Sequence, residues 1–286
     1  MRFLDHIRRC NTHDMADYAP WEIGGRRVGF LRHALAERLR DFSDVFVAEG
    51  GGLSLVPTLD TPTARTDAMA DILAQLHQEG LCGAPRNEPY AVVDRVGGTH
   101  LMTVDRVAAS ILGIISTGFH LNGTVGSGSD LAMWVARRSL TKITFPGQLD
   151  NIVAGGQPAT ISVAENVIKE CQEEADIPEA LALQARPVGL ISYTMAVEDG
   201  LRRHAMYVYD LDMPRDFIPK PFDGEVEDFK LRPIADVAEI VRGSLDDFKF
   251  NCSLVVIDFL IRHGVITPAD PDYFDLVTGL RGPIPR

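Results

Sequence analysis

Three glutamates, Glu170, Glu173 and Glu174, stand at i, i+3 and i+4 in the stretch 162–175. On a helix turning 100° per residue their carboxylates share one face. Like charges so placed repel and weaken a helix. Such a trio is either a solvated acidic face or a seat for hard cations that cancel the repulsion. Magnesium-type ions take carboxylate oxygens together with phosphate oxygens of a substrate. Two such ions can clamp a phosphoryl group and activate a water. The chemistry to look for is therefore metal-assisted cleavage of a phosphate linkage.

The elements that must position the trio lie on either side of it. Gly155 and Gly156 read as a turn whose bare backbone a phosphate could approach. Ser162 can cap a helix, with Glu165 three residues on as its capping-box partner. Val163, Val167, Cys171 and Ala175, flanked by Ile168, form the apolar stripe that would pack this helix down. Glu165 lies four residues before Lys169, the favourable order for a helical ion pair, and a structural pair is expected there.

The stretch 155–177 resembles the Nudix box, Gly-x5-Glu-x7-Arg-Glu-U-x-Glu-Glu-x-Gly-U with U apolar. Gly155 matches the first glycine, Cys171 and Ile177 the apolar positions, and Glu170, Glu173 and Glu174 the metal-binding glutamates. Ile161, Lys169 and Asp176 depart from the motif, replacing its first glutamate, its arginine and its second glycine.

Composition narrows the alternatives. At 286 residues the chain is long enough for two domains, each with its own core. Apolar content of 45% and charged content of 24% are those of an ordinary globular protein. A net charge of −12 argues against a protein that tracks nucleic-acid phosphates. Cys10, Cys82, Cys171 and Cys252 are far apart, as reduced thiols of a cytoplasmic protein would be. No signal peptide and no apolar run near the ~20 residues of a membrane span are seen. Neither a His-x-His nor a Gly-x-Ser-x-Gly pattern occurs. His120 and His204 are expected to be structural.

Along the chain, residues 1–18 are polar and helical in pattern. Leu31, Leu35 and Leu39 suggest a helix on a core, and a second helix begins near Arg65. The segments 90–93 and 101–104 read as strands, and Asp105 could cap a helix running through Leu112. Residues 1–113 are thus expected to form a small α+β domain and 114–286 a second domain. Strands are expected at 119–125, 131–136, 187–197 and 204–211. The segment 222–229 puts Glu225 and Glu227 on one side of a strand, where either could add a metal ligand or base. Residues 251–263 read as a closing helix before an irregular tail.

The resemblance extends to 119–125, 133–139, 142–147, 149–151, 165–170, 223–226 and 250–254. These segments look like a Nudix subfamily with an added N-terminal domain, found fused to thiamine pyrophosphokinase in fungi and as separate hydrolases in plants and bacteria. That subfamily often carries the Glu-Asn-x-x-Lys-Glu form seen at 165–170. The resemblance implies an α+β chain: a Nudix α/β/α sandwich with a mixed sheet, preceded by a small α+β domain. It implies hydrolysis of a diphosphate, with thiamine diphosphate or its oxidised analogues converted to the monophosphate. Mg²⁺ or Mn²⁺ would sit on Glu170, Glu173, Glu174 and Glu225. Glu174, or else Glu173, would orient or deprotonate the water. Gly155, Gly156, Arg137 and Lys142 are the candidates for binding phosphate, with Arg138 beside them. A homodimer is a family expectation. Other nucleoside-diphosphate substrates, and a degenerate binding module, are the alternatives. The segment 142–147 also resembles isopentenyl-diphosphate isomerase, but Val153-Ala-Gly-Gly156 lacks that family's cysteine and His-Pro.

Overall fold

The computed structural model describes residues 2–286. Residue 1, the first of the expected N-terminal helix, lies outside the described residues.

Helix α1 (Phe3–Cys10) buries Phe3, Leu4, Ile7 and Cys10, so the polar N-terminal stretch has an apolar side. Strands β1 (Tyr18–Ile23) and β2 (Arg26–Arg32) follow, then helix α2 (His33–Leu39). The helix expected from the leucine spacing is therefore shorter, because Leu31 belongs to β2. Strands β3 (Phe46–Glu49) and β4 (Gly52–Leu55), helix α3 (Pro62–Gln78), and strands β5 (Pro89–Val92) and β6 (Met102–Asp105) complete this unit. Its four-stranded sheet has the order β2-β1-β4-β3, and β5 pairs with β6. Pro62 at the start of α3 and Thr61 as its cap explain where that helix begins. The helix expected after Asp105 is only a short 3-10 turn, Arg106–Ala108. Trp21 is fully buried in this core, and its indole N–H donates to the Leu112 carbonyl at 2.7 Å.

Strands β7 (Ile115–Val125), β8 (Ala132–Arg138), β9 (Leu149–Asn151) and β10 (Val153–Gly156) lead into helices α4 (Val163–Ala175) and α5 (Glu179–Ala182). Strands β11 (Arg186–Val197), β12 (Gly200–Asp212) and β13 (Val226–Pro233) and helices α6 (Ile234–Gly243), α7 (Phe250–Arg262) and α8 (Tyr273–Gly279) follow. The seven-stranded sheet has the path β11-β12-β7-β8-β13, with β10 on β7 and β9 on β8. It is mixed: β12 runs parallel to β7 and the other pairings are antiparallel.

Each face of this sheet is covered. Val167, Cys171 and Ala175 of α4 pack with Phe119, Leu121 and Trp134 on one side. Leu254, Val255, Phe259 and Leu260 of α7 pack with Met133, Val135, Met206 and Val208 on the other. A buried side chain of this size contributes about 1.5–3 kcal/mol. The result is a helix–sheet–helix sandwich beside a smaller α+β unit. Helix α1 joins the α7 side of the sandwich, not the core of the smaller unit. The tail is not wholly irregular, because α8 packs Leu276 against that same core.

The two units meet at Arg203 on β12. Its Nη1 donates to the carbonyls of Val28 (3.1 Å) and Gly113 (2.8 Å), and its Nη2 to that of Pro285 (2.5 Å). Tyr18 Oη donates to the Gly200 carbonyl at 3.1 Å, and Arg32 Nη2 to that of Val197 at 2.6 Å.

Candidate active site

Helix α4 starts where its sequence says it should. Ser162 Oγ accepts from Glu165 N at 3.2 Å, and Glu165 Oε2 accepts from Ser162 N at 2.8 Å, closing the capping box. The helix ends at Asp176, which adopts a left-handed φ of 53°. A glycine is the easiest residue at such a position, and aspartate is one of the few others that tolerates it. The departure at Asp176 is thus accommodated by the backbone.

Lys169 does not pair with Glu165. Its Nζ lies 3.1 Å from Glu170 Oε1 and 2.5 Å from Glu173 Oε2. The expected Glu165–Lys169 pair is corrected for a physical reason. The capping box already engages the Glu165 carboxylate, while two acids lie within reach on the other side of Lys169. The lysine neutralises part of the trio.

The three acids then divide. Glu174 is buried, and its Oε2 accepts from the backbone N–H of Ala154 on β10 at 3.0 Å. Burial drives its pKa well above the ordinary value near 4.5, and the nearby Asp150, Glu170 and Glu225 carboxylates push the same way against the Ala154 hydrogen bond. Glu170 is also raised, by burial first, against the pull of Lys169. Glu173 remains about half exposed at 47% and ion-paired. Lys169 holds the Glu173 carboxylate outside the lining of the small pocket that Glu174 enters.

A small pocket is lined by Ala136, Arg138, Asp150, Asn151, Glu174, Glu225 and Val226. Glu225 reaches it from just before β13. A register shift between Val226 and Asp228 breaks the strand's alternation there. Glu225 thereby faces the pocket, and Glu227 is exposed and does not line it. Lys142 sits 2.5 Å from Glu225 Oε2, so this candidate phosphate residue is engaged by an acid of the same pocket.

Arg137 requires correction. It donates to the Gly147 carbonyl at 2.8 Å and lines a separate cavity of about 400 Å³ with Leu149, Arg232, Ile240 and Asp246. Neighbouring strand residues face opposite ways, and Arg138 is the one at the acids. Arg138 Nη1 donates to Asp150 Oδ2 at 2.9 Å, and its Nε and Nη2 donate to the carbonyls of Phe145 (3.1 Å) and Thr144 (2.9 Å).

Packing by itself requires Gly155 and Gly156 to be bare. A Cβ on Gly155 would lie 2.9 Å from Glu170 Cγ and 3.1 Å from the Phe119 ring. A Cβ on Gly156 would lie 2.0 Å from the Tyr90 hydroxyl oxygen. Both glycines make room for protein groups. Tyr90 comes from β5 in the smaller unit and packs against Gly156, a neighbour that sequence reasoning did not identify.

Behind the pocket lies a buried polar network. Asp150 accepts from the Cys252 thiol at 2.7 Å. Burial raises the Asp150 pKa, but Lys249, His120 and Arg138 outweigh it and hold the group at about 2. His120 is lowered to about 4, by burial first. Its Nδ1 faces Asn151 Oδ1 at 2.9 Å, and its Nε2 faces Asn251 Nδ2 at 3.3 Å. Donation from Nδ1–H and acceptance at Nε2 suit a neutral ring. His120, Asp150 and Cys252 lie close enough to hold a metal ion. Two cations already compensate Asp150, however, and burial pushes the Cys252 thiol well up, so the trio reads as a hydrogen-bonded cluster.

Comparisons with known proteins address the whole arrangement. Residues 2–116 match a family model described as a domain of unknown function, DUF4743. Nudix hydrolase 24, chloroplastic, of Arabidopsis thaliana is 41% identical over 283 residues, covering 98% of this chain and 77% of the relative. The chain belongs to the Nudix hydrolase family. Nudix hydrolase 20, chloroplastic, of the same plant is 40% identical over 290 residues, with the same two coverages of 98% and 77%. Among solved structures, DR0079 from Deinococcus radiodurans overlays 59% of the chain and 97% of its own length, with a TM-score of 0.44 and 20% identity. In this Nudix hydrolase Glu174 and Glu225 line one small acidic pocket, and Glu170 and Glu173 lie beside Glu174 on α4. Among the described residues, no helix is long and apolar enough to cross a membrane.

Proposed function

We propose that this Nudix hydrolase cleaves a diphosphate joined to an organic group, and that the group is thiamine or an oxidised thiamine, released as the monophosphate. The observation that carries the hydrolytic reading is Glu174. A carboxylate buried, held by a backbone N–H and pressed by other acids is costly unless something positive joins it. The donor set is hard oxygen throughout, which suits Mg²⁺ or Mn²⁺ and not softer metals. Glu170 and Glu174 would hold the ion, with Glu225 opposite and Glu173 available once Lys169 turns away. The bound ion would supply charge neutralisation of the diphosphate and a more acidic water.

The chain's own groups do the rest. The Ala154 N–H fixes the orientation of the Glu174 carboxylate. Glu225, half exposed at 47%, is open to solvent and is the candidate to take a proton from water. Arg138, tied to Asp150 and two carbonyls, presents a rigid cationic edge to the pocket. The thiamine assignment rests on the subfamily likeness of the segments around 119–125, 142–151 and 165–170.

The test is incubation of the full chain with thiamine diphosphate, oxidised thiamine diphosphate, nucleoside diphosphates and ADP-sugars, each with Mg²⁺ or Mn²⁺. Metal-dependent release of a monophosphate is expected, fastest on the thiamine compounds, and abolished in Glu174→Gln. Turnover fully retained by that variant would remove the assigned site. Preference for a nucleoside compound would replace the thiamine assignment alone.

A further inference from the structure

The smaller unit brings a further cation, Arg106, to the β10 edge at Gly156, and the local chain shows how it is held. Asp105 ends β6 and accepts from the backbone N–H groups of Arg86 (3.0 Å), Asn87 (2.7 Å) and Val107 (2.9 Å). One carboxylate thereby fixes both the loop before β5 and the 3-10 turn that begins at Arg106. The Glu88 carbonyl accepts from Arg106 N at 2.8 Å, and Glu88 Oε2 accepts from Arg106 Nη1 at 2.7 Å. The guanidinium stands 5.9 Å from the centroid of the Tyr90 ring. Its Cζ would be 3.6 Å from a Cβ on Gly156, two residues after the strand position whose N–H holds Glu174. The Ala159 N–H donates to the Pro89 carbonyl at 2.8 Å and ties the loop before α4 to the same edge.

Among the described residues, Nε and Nη2 of Arg106 form no hydrogen bond to protein, and the side chain is 41% exposed. The other cations of the site are spoken for. Lys169 is on Glu170 and Glu173, Lys142 on Glu225, and Arg138 on Asp150. Ions held by the acids would already share their charge with those carboxylates, which leaves a diphosphate with negative charge for a side-chain cation to meet. A guanidinium fork with free N–H groups beside Gly156 is shaped for phosphoryl oxygens.

We propose that Arg106, supplied by the smaller unit, is a substrate-binding residue that grips a phosphoryl oxygen of the diphosphate, with Glu88 and Tyr90 holding its guanidinium in place. This rests on the hydrolytic reading above and assigns part of the substrate clamp to the DUF4743 unit. Arg106 touches substrate without touching the metal-binding acids, so it serves affinity more than the chemical step.

The experiment compares wild type with Arg106→Ala, Arg106→Gln and Arg106→Lys. Calorimetric binding of methylenediphosphonate in Mg²⁺ is measured, with Mn²⁺ affinity by electron paramagnetic resonance and steady-state kinetics on the best diphosphate of the panel. Arg106→Ala and Arg106→Gln should weaken methylenediphosphonate about tenfold or more, the loss expected for one charge-assisted hydrogen bond. KM should rise in parallel, with kcat and Mn²⁺ affinity little changed and Arg106→Lys intermediate. Unaltered diphosphonate affinity and KM in the glutamine variant, with a wild type that binds and turns over, would overturn the role of Arg106 alone. A wild type that neither binds diphosphonate nor hydrolyses any diphosphate would overturn the hydrolytic reading and, with it, this one.

Discussion

Glu174 sets the behaviour of the site at the scale of single residues. Its pKa in the folded protein is raised above the ordinary value near 4.5, so the folded state holds a proton that the unfolded chain releases. Stability of the metal-free protein should therefore fall as pH rises from about 4.5 through the raised value, and excess Mg²⁺ should recover it. Thermal melts at several pH values check this. Glu174→Gln should flatten the slope and lose about 100-fold or more in kcat. Asp150 behaves in the opposite sense. Its pKa of about 2 lies below the ordinary 3.8, so its contribution is present above 3.8 and disappears as pH falls toward 2. Asp150→Asn leaves Arg138 and Lys249 facing a neutral amide, and urea titration should show a loss of about 3 kcal/mol. The acids were readable from their spacing. The division among them was not, because Glu165, Glu170 and Glu173 were all in reach of Lys169 and the capping box that engages Glu165 left it the other two. Arg137 and Arg138 were one strand position apart, and sequence does not say which of two neighbours faces the pocket.

At the scale of elements, α4 is the best-read part of the chain. Its cap, its apolar stripe and its end all follow from local chemistry at Ser162, Val167, Cys171 and Asp176. Ser162→Ala should cost about 1 kcal/mol by chemical denaturation while leaving kcat within a few-fold, because the cap lies at the far end of the helix from Glu174. The strands of the large sheet were legible in position, and their pairing was not. Alternation reveals a strand, whereas the parallel placement of β12 on β7 is a matter of how the whole sheet is wound. The bulge beside Val226 that turns Glu225 inward has no signature in the sequence. Helix α8 was hidden among prolines, and its single buried anchor, Leu276, is too little periodicity to declare a helix.

At the scale of the whole molecule, the strand that leads into α4 is packed against the smaller unit. Gly156 and Tyr90 come from different units and interlock, which no local pattern could announce. Gly156→Ala should therefore lower both the melting temperature and the activity, since the new methyl meets the Tyr90 oxygen at 2.0 Å. Tyr90→Phe in the same chain should restore much of the loss. The nearest ring carbon, Cζ, lies 3.2 Å from the added atom, a distance that a shift of a few tenths of an ångström relieves. A double-mutant cycle read by melting temperature and kcat/KM checks the coupling. If the two substitutions add independently, the interlock does not carry the geometry.

The same junction makes the segment around Pro285 part of its keel. Arg203 is wholly enclosed, and the carbonyl that answers its Nη2 belongs to Pro285. Loss of that carbonyl would leave Nη2 of this guanidinium without a partner in a dry seam, with only the Val28 and Gly113 carbonyls still answering Nη1, and an unmet donor there is costly. Loss of that one carbonyl should therefore surface at a distance, as slippage between the two units.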